Sequence, residues 1–416
     1  MTDATRFAPP GFGDSRRGIS LAQLQTAAVW LMLVTSFYVK VEPAICDGLF
    51  VIALVFSFIS GLSISTAIVP LIACLFLYNM GAFLGSLQVD GDDKVPMYVI
   101  TSSYMAVSAV FFAFYVGMDP LRRMAIIRTP TIIAGAIAAV LGLLGYFDVA
   151  GLGDAFAFKQ RAVATFKDPN VFSTFLIFPL LLLLQGFLLG TQRHKIMSLA
   201  SFLAILAALF LAFSRGAWIS CVFAAVMLVG LTFILTPQAA MRSRIVILTI
   251  LGTIGAAVLF SLLLSVPEVR DLFLDRFTLF KDYDAGETGR FGNQVNSIPL
   301  LLLRPLGFGP LQFHKFFGLD PHNTYINAFA SYGWLGGISY FLLIISTLAI
   351  GFKTVLTRTP WQNYSIVVFC PLFTTIFQGV QIDTDHWRHF YWLLGMMWGL
   401  FAASIHYRPG KKQLQD

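Results

Sequence analysis

The chain has 416 residues, 57% of them hydrophobic and only 12% charged, and its mean hydropathy is +0.77. A soluble globular protein carries about 25% charged residues, so the composition excludes a water-soluble domain and predicts a single polytopic membrane domain over residues 1–416. The net charge of +7 follows the loop topology described next and gives no reason to expect nucleic-acid binding.

Crossing the hydrocarbon core takes ~20 mostly apolar residues. On that ruler the expected fold is an all-α integral membrane protein of about twelve transmembrane helices, centred near residues 28, 54, 76, 107, 138, 180, 205, 226, 255, 338, 373 and 397. The second and third meet at Gly61-Leu62-Ser63-Ile64, a short and barely polar connection. Lys and Arg are retained on the cytoplasmic side of short loops. Alternate intervals hold Arg6, Arg16 and Arg17; Arg122, Arg123 and Arg128; Arg193 and Lys195; Arg242 and Arg244; Lys353 and Arg358; and Arg408, Lys411 and Lys412. These 15 basic residues face only Asp3, Asp14, Asp119 and Asp416, whereas the other intervals hold 13 basic and 17 acidic residues. Both termini are therefore expected in the cytoplasm, and the one long polar interval, residues 266–326, on the outer face. The polar N-terminal stretch carries no signal-peptide cleavage pattern, so the first span is expected to remain as an anchor. The scattered Cys46, Cys74, Cys221 and Cys370 form neither a disulfide framework nor a metal spacing. There is no P-loop and no second soluble domain, so nucleotide hydrolysis is not expected.

Polar residues interrupt the apolar runs at few places. The acidic turn Asp90, Asp92 and Asp93 reads as a solvated loop, since the rest of a calcium-coordinating loop is missing. Residues 148–170 carry Lys159, Arg161 and Lys167 on the side where basic residues are disfavoured, which suggests attraction of an anion such as lipid phosphate or an acidic glycan. Asp168-Pro169-Asn170 then opens a span, with the features of an N-cap followed by a first-turn proline. Residues 197–236 form an apolar run of about 40 residues, which as one helix would be ~60 Å long, twice the hydrocarbon thickness. The run must fold back at Ser214-Arg215-Gly216. Arg215 there has two readings: an interfacial side chain snorkelling to headgroups, or an anion site completed by the N–H groups opening the next helix.

Within the long interval, Phe291, Val295, Ile298 and Leu302 recur at helical spacing, so residues 290–303 are expected to lie on the membrane surface as an amphipathic helix kinked at Pro299. Arg290 and Arg304 flank it, either as headgroup ligands or as substrate ligands. Gly307-Phe308-Gly309-Pro310 is a turn whose glycines permit close backbone approach. His322 precedes Asn323 at the start of the tenth span. It is either a capping residue or a base that accepts a hydroxyl proton, and His314 is its rival. The cluster Asp383, Asp385, His386, Arg388 and His389 between the last two spans has the residue types of a metal site, but a short loop of this composition reads first as a salt-bridged rim.

Taken together, these segments resemble the O-antigen ligase/polymerase family of bacterial membrane glycosyltransferases. The resemblance rests on Arg161 with Thr165-Phe166-Lys167-Asp168-Pro169-Asn170; on Phe213-Ser214-Arg215-Gly216-Ala217-Trp218; on Arg290 and Pro305-Leu306-Gly307-Phe308-Gly309-Pro310; and on His322-Asn323-Thr324-Tyr325 with Gly333, Gly336 and Gly337. It covers residues 150–350 well and the flanking spans by topology alone. The resemblance implies transfer of a glycan from undecaprenyl diphosphate to a sugar hydroxyl on the periplasmic face of the bacterial inner membrane. The acceptor is lipid A-core for a ligase, the leading reading, or a second lipid-linked glycan for a repeat-unit polymerase. It implies an inverting, metal-independent reaction without cofactor, with Arg215 and Arg290 on the diphosphate and His322 facing the acceptor hydroxyl. Arg161, Lys167, Asp168, Asn170, Asn323 and Arg304 are then expected to bind substrate. A carrier of lipid-linked sugars is the distant alternative. No internal repeat supports it, and the ionisable residues cluster at the interface instead of at midplane depth.

Overall fold

The computed structural model describes residues 20–61, 65–276 and 289–407. The connection Leu62-Ser63-Ile64, residues 277–288 of the long interval, and the terminal charges Asp3, Arg6, Asp14, Arg16, Arg17, Arg408, Lys411, Lys412 and Asp416 lie outside them. Five helices come first: α1 (Leu21–Val34), α2 (Ile45–Ile59), α3 (Val69–Ser86), α4 (Lys94–Met118) and α5 (Pro120–Tyr146). A short helix α6 (Gly153–Phe156) leads into a hairpin of β1 (Ala157–Phe158) and β2 (Arg161–Ala162), joined by Lys159 and Gln160, both with positive φ as a two-residue primed turn requires. Four helices follow: α7 (Pro169–Leu189), α8 (Lys195–Leu211), α9 (Arg215–Leu235) and α10 (Ala239–Leu264). The long interval contributes α11 (Pro267–Arg276), α12 (Arg290–Leu302) and α13 (Phe313–Phe317). The last three are α14 (Thr324–Leu356), α15 (Gln362–Gln378) and α16 (Arg388–His406).

Each of the twelve centres expected from the sequence falls on a helix, and the architecture is that of an all-α membrane bundle. Among the described residues, seven helices are long and apolar enough to cross a membrane: α3, α4, α5, α7, α9, α10 and α14. The 40-residue apolar run folds back as expected, α8 ending at Leu211 and α9 opening at Arg215. α7 lies at the centre, with 83% of its most apolar window buried, and α10 lies at the perimeter, with 6% buried. Between α4 and α16 the backbones meet closely because Gly395 and Gly399 leave room for the carbonyls of Ala109 and Ala113, a packing mode that suits helices in lipid.

α14 is 33 residues long and would exceed the hydrocarbon thickness as one rod. It breaks at Gly333, where φ is +64° and ψ −169°, a region open essentially to glycine alone. The turn at residues 305–309 fills the break. Trp334 N–H donates to the Pro305 carbonyl at 2.8 Å, and the N–H groups of Phe308 and Gly309 donate to the Ala330 carbonyl. The close approach expected of the Gly307–Pro310 turn is thus made against α14.

The interhelical contacts sort the helix ends into two sets. One set joins the start of α2, α4, α7, α9, α14 and α16 to the end of α3, α5, α8 and α15, with α6, the hairpin and α11–α13. All eight non-glycine residues with left-handed backbone among the described residues lie in the connections of this end.

Candidate functional site

Among the described residues, three arginines occupy the first residue of a helix: Arg388, which opens α16 and binds Asp47, and the pair Arg215 and Arg290. Arg215 opens α9 behind the cap Ser214, whose hydroxyl accepts from Ala217 N–H, and Arg290 opens α12 behind Gly289. Neither first turn contains an acidic residue. A helix start carries partial positive charge and favours anions, so both guanidiniums stand where the helix itself disfavours them. An anion bound at these turns relieves that conflict, since it meets the guanidiniums and the positive end of the helix together.

Contacts join these two turns to the start of α14. Gly216 lies against the side chain of Gln378, the last residue of α15, and the following carbonyl, of Gly379, accepts from Thr324 N–H at 2.7 Å. From the other side, Gln294 of α12 donates to the Pro321 carbonyl at 2.9 Å and accepts from the Asn323 amide. Asn323 is the cap of α14, its side chain accepting from the N–H groups of Tyr325 and Ile326. The cap is therefore Asn323, and His322 stands just outside the helix. It is exposed, with φ +45°, a conformation of the kind that collects at functional sites.

His322 Nδ1 lies 3.9 Å from Asp383 Oδ2, while Asp383 Oδ1 accepts from Asn323 N–H at 3.0 Å. The carboxylate thus holds the histidine's segment from the loop between α15 and α16. Its side chain keeps 28% of its surface exposed, yet loss of hydration and the negative charge of Asp385 push its carboxyl up to about 8. Asp385 itself is buried and accepts from Tyr98 and Asn327 at 3.2 and 3.0 Å. Burial opposes its ionisation, but His386, 3.2 Å away, and the Tyr98 hydroxyl hold its carboxyl below the ordinary carboxylate range. Arg388 turns away from this pair and binds Asp47 through two hydrogen bonds of 2.9 Å. The cluster expected as a rim or a metal site is thus divided, with Asp383, Asp385 and His386, and Arg388 in separate ion pairs and His389 buried apart from them, and no metal-holding group of three His, Cys, Asp or Glu side chains occurs among the described residues.

The remaining expected residues take different places. Arg161 donates from Nε to the Ala212 carbonyl at 2.7 Å and from Nη2 to Asn170 Oδ1 at 3.1 Å, tying the β1–β2 hairpin to the α8–α9 corner and the start of α7. It supports the corner from which Arg215 projects. Asp168 caps α7, accepting from the N–H groups of Asn170 and Val171, with Pro169 in the first turn. Lys167 pairs with Glu42 at 2.8 Å on the surface. Arg304 is exposed, its guanidinium stacked over Phe308 and Phe316, and His314 of α13 pairs with Asp320 beyond the helix. None of these last three is joined to the cluster by the contacts that link Arg215, Arg290 and His322. Sequence reading grouped Asp383 with its neighbours in the chain and missed its pairing with His322, 61 positions earlier. It also missed Gln294 and Gln378. Comparison of the chain with protein-family models and with curated proteins finds no match.

Proposed function

We propose that this chain is a membrane glycosyltransferase of the O-antigen ligase/polymerase kind, moving a glycan from undecaprenyl diphosphate to a sugar hydroxyl, with lipid A-core the leading acceptor. The observation that carries the reading is the placement of Arg215 and Arg290 each at the first turn of a helix, joined by contacts to the segment bearing His322 and Asp383. The two guanidiniums and helix starts bind the diphosphate and stabilise the charge that grows on its departing oxygen. His322 turns Nδ1 toward Asp383, and Nε2 is the nitrogen we assign to the acceptor hydroxyl. The hydroxyl oxygen bonds to the anomeric carbon from the face opposite the diphosphate, the carbon–oxygen bond to phosphate breaks, and the hydroxyl proton passes to His322. The configuration inverts, and undecaprenyl diphosphate leaves with the bonding electrons. The energy resides in the sugar–diphosphate bond, so the reaction needs no nucleotide.

The same reading includes twelve spans in the bacterial inner membrane, both termini in the cytoplasm, and residues 266–326 as a periplasmic loop over the site. The charges support it. Among the described residues, the end away from the cluster carries nine Lys and Arg against the one acid Asp119, and the cluster's end carries twelve against fourteen acids.

The test is transfer by purified protein given an undecaprenyl-diphosphate glycan, with lipid A-core or a second lipid-linked unit offered separately. Arg215→Ala and Arg290→Ala are each expected to slow transfer ~10²- to 10³-fold, and His322→Ala ~10²- to 10⁴-fold, in proteins that elute as wild type. Product on lipid A-core alone identifies the ligase; product on the second lipid-linked unit alone identifies the polymerase. Donor binding with transfer to neither acceptor sinks the transferase reading in favour of a carrier.

A further inference from the structure

Beside Arg215 a groove of about 350 Å³ runs between α9 and α15. Its body is apolar, formed by Ile219 and Phe223 of α9 and by Phe373 and Phe377 of α15, and three of these, Ile219, Phe223 and Phe377, are exposed at the bundle perimeter. Its head is polar. Gln378 is only 5% exposed, and its Oε1 accepts from the hydroxyls of Thr174 and Ser220 at 3.3 and 3.2 Å. That pairing fixes the amide so that Nε2 lies over Gly216, one residue from Arg215, where it finds no acceptor among the described residues. A buried donor left unmade costs ~1–3 kcal/mol, so the site calls for an acceptor. The combination of an apolar trough open to hydrocarbon, a buried donor at its head and an arginine next in the chain to the lining residue Gly216 matches one long chain that ends in phosphate oxygens.

We propose that this groove seats the first part of the hydrocarbon chain of a polyprenyl diphosphate, with the Gln378 amide donating to a phosphate oxygen next to the chain. The inference rests on the transferase reading and specifies where its donor lies. The head selects the phosphate and the trough selects the chain, so neither inorganic pyrophosphate nor a polyprenyl alcohol makes both sets of contacts.

The experiment uses the full-length protein in lipid nanodiscs and a polyprenyl diphosphate with a diazirine in its first isoprene units. Photolabelled peptides are mapped by mass spectrometry, and transfer is assayed in parallel. Label is expected on α9 and α15 around Ile219, Phe223 and Phe377. Gln378→Glu keeps an oxygen for Thr174 and Ser220 but replaces the donor with a carboxylate. It is expected to weaken labelling by the diphosphate about 10-fold or more, the size of a hydrogen bond to a charged group, and to leave labelling by the matching alcohol unchanged. Ile219→Trp fills the trough from an exposed position, so it folds even where the first variant does not, and it is expected to weaken labelling by both probes. Label confined to other helices, such as the trough between α3 and α4 that holds Asn79 and Ser103, overturns the proposal. So does displacement by excess phosphatidylglycerol, or indifference to both variants. Label in the groove without transfer sinks the transferase and leaves the groove standing; transfer with label elsewhere sinks the groove alone.

Discussion

At the scale of single residues the arrangement turns on Asp383. Its backbone bond to Asn323 and its approach to His322 make it a positioning group, and it performs that role as a carboxylate. Its carboxyl is raised to about 8 by lost hydration and by Asp385, so ionisation is incomplete at neutral pH. The sign follows directly. A carboxyl raised from near 4 to about 8 stabilises the fold fully below the lower value, and that contribution is lost as pH rises through about 8. Activity runs the other way, since the ionised form is the one that orients His322. Transfer by the wild type is therefore expected to rise with pH through a midpoint near 8, measured as kcat/KM from pH 6 to 9. Asp383→Asn is expected to lose that step and to lower kcat by ~10- to 100-fold, part of the contribution of a general base. An unchanged pH profile in Asp383→Asn removes the carboxylate from the mechanism. The sequence showed His322 and Arg215 as polar residues breaking apolar runs. It held no sign of the Asp383 pairing, because contact across 61 positions depends on α14 and α15 lying antiparallel with their ends in register.

At the scale of elements, α12 shows how far a pattern read from sequence carries. The spacing of Phe291, Val295, Ile298 and Leu302 gave the helix nearly to its ends, and these side chains are exposed, Val295 at 65%. The polar stripe of Asn293, Gln294 and Ser297 is the buried one, with Asn293 and Gln294 bonded to the segment at residues 317–321. Its apolar side faces outward and its polar side faces the protein, the reverse of a helix on a soluble core. It runs helical through Pro299 to Leu302, although the proline withholds the N–H that would bond the Val295 carbonyl. Breaks were less legible than faces. The sequence placed Gly333 in a glycine series without revealing that α14 changes direction there, since the cause is the turn at residues 305–309 arriving from elsewhere in the chain. A Cβ at Gly333 would lie 2.5 Å from the Pro305 carbonyl oxygen, and the backbone there is closed to other residues. Gly333→Ala is expected to destabilise the fold by about 3 kcal/mol or more, combining backbone strain with the clash. Thermal unfolding of the purified protein should show the loss. Hydrogen exchange should show residues 305–310 released first, and equal protection in both proteins would mean that the break does not hold the turn.

At the scale of the whole molecule, the chain places its strained connections, paired carboxylates and the arginines Arg215 and Arg290 at one end of the bundle, and among the described residues the other end carries nine basic residues and one acid. Those two asymmetries have different origins. The basic end follows from retention of Lys and Arg during insertion, which acts on short loops regardless of function. On the proposed topology the other end lies on the side where basic residues are disfavoured, and Arg215 and Arg290 stand there. Their presence there is what the proposed anionic lipid-linked substrate on the outer face would explain. The two assignments stand or fall together, and labelling separates them from the inverted topology. With the four native cysteines replaced by serine or alanine, single cysteines at Asp154 and Lys315 are expected to react with a membrane-impermeant maleimide in intact cells whose outer membrane has been permeabilised. Cysteines at Arg193 and Arg358 are expected to react only after the inner membrane is opened. The opposite pattern would put Arg215, Arg290 and His322 on the cytoplasmic face, where soluble nucleotide sugars are available as donors. A transferase that relies on a lipid diphosphate would then lose its physical rationale, even if every contact around His322 were as described.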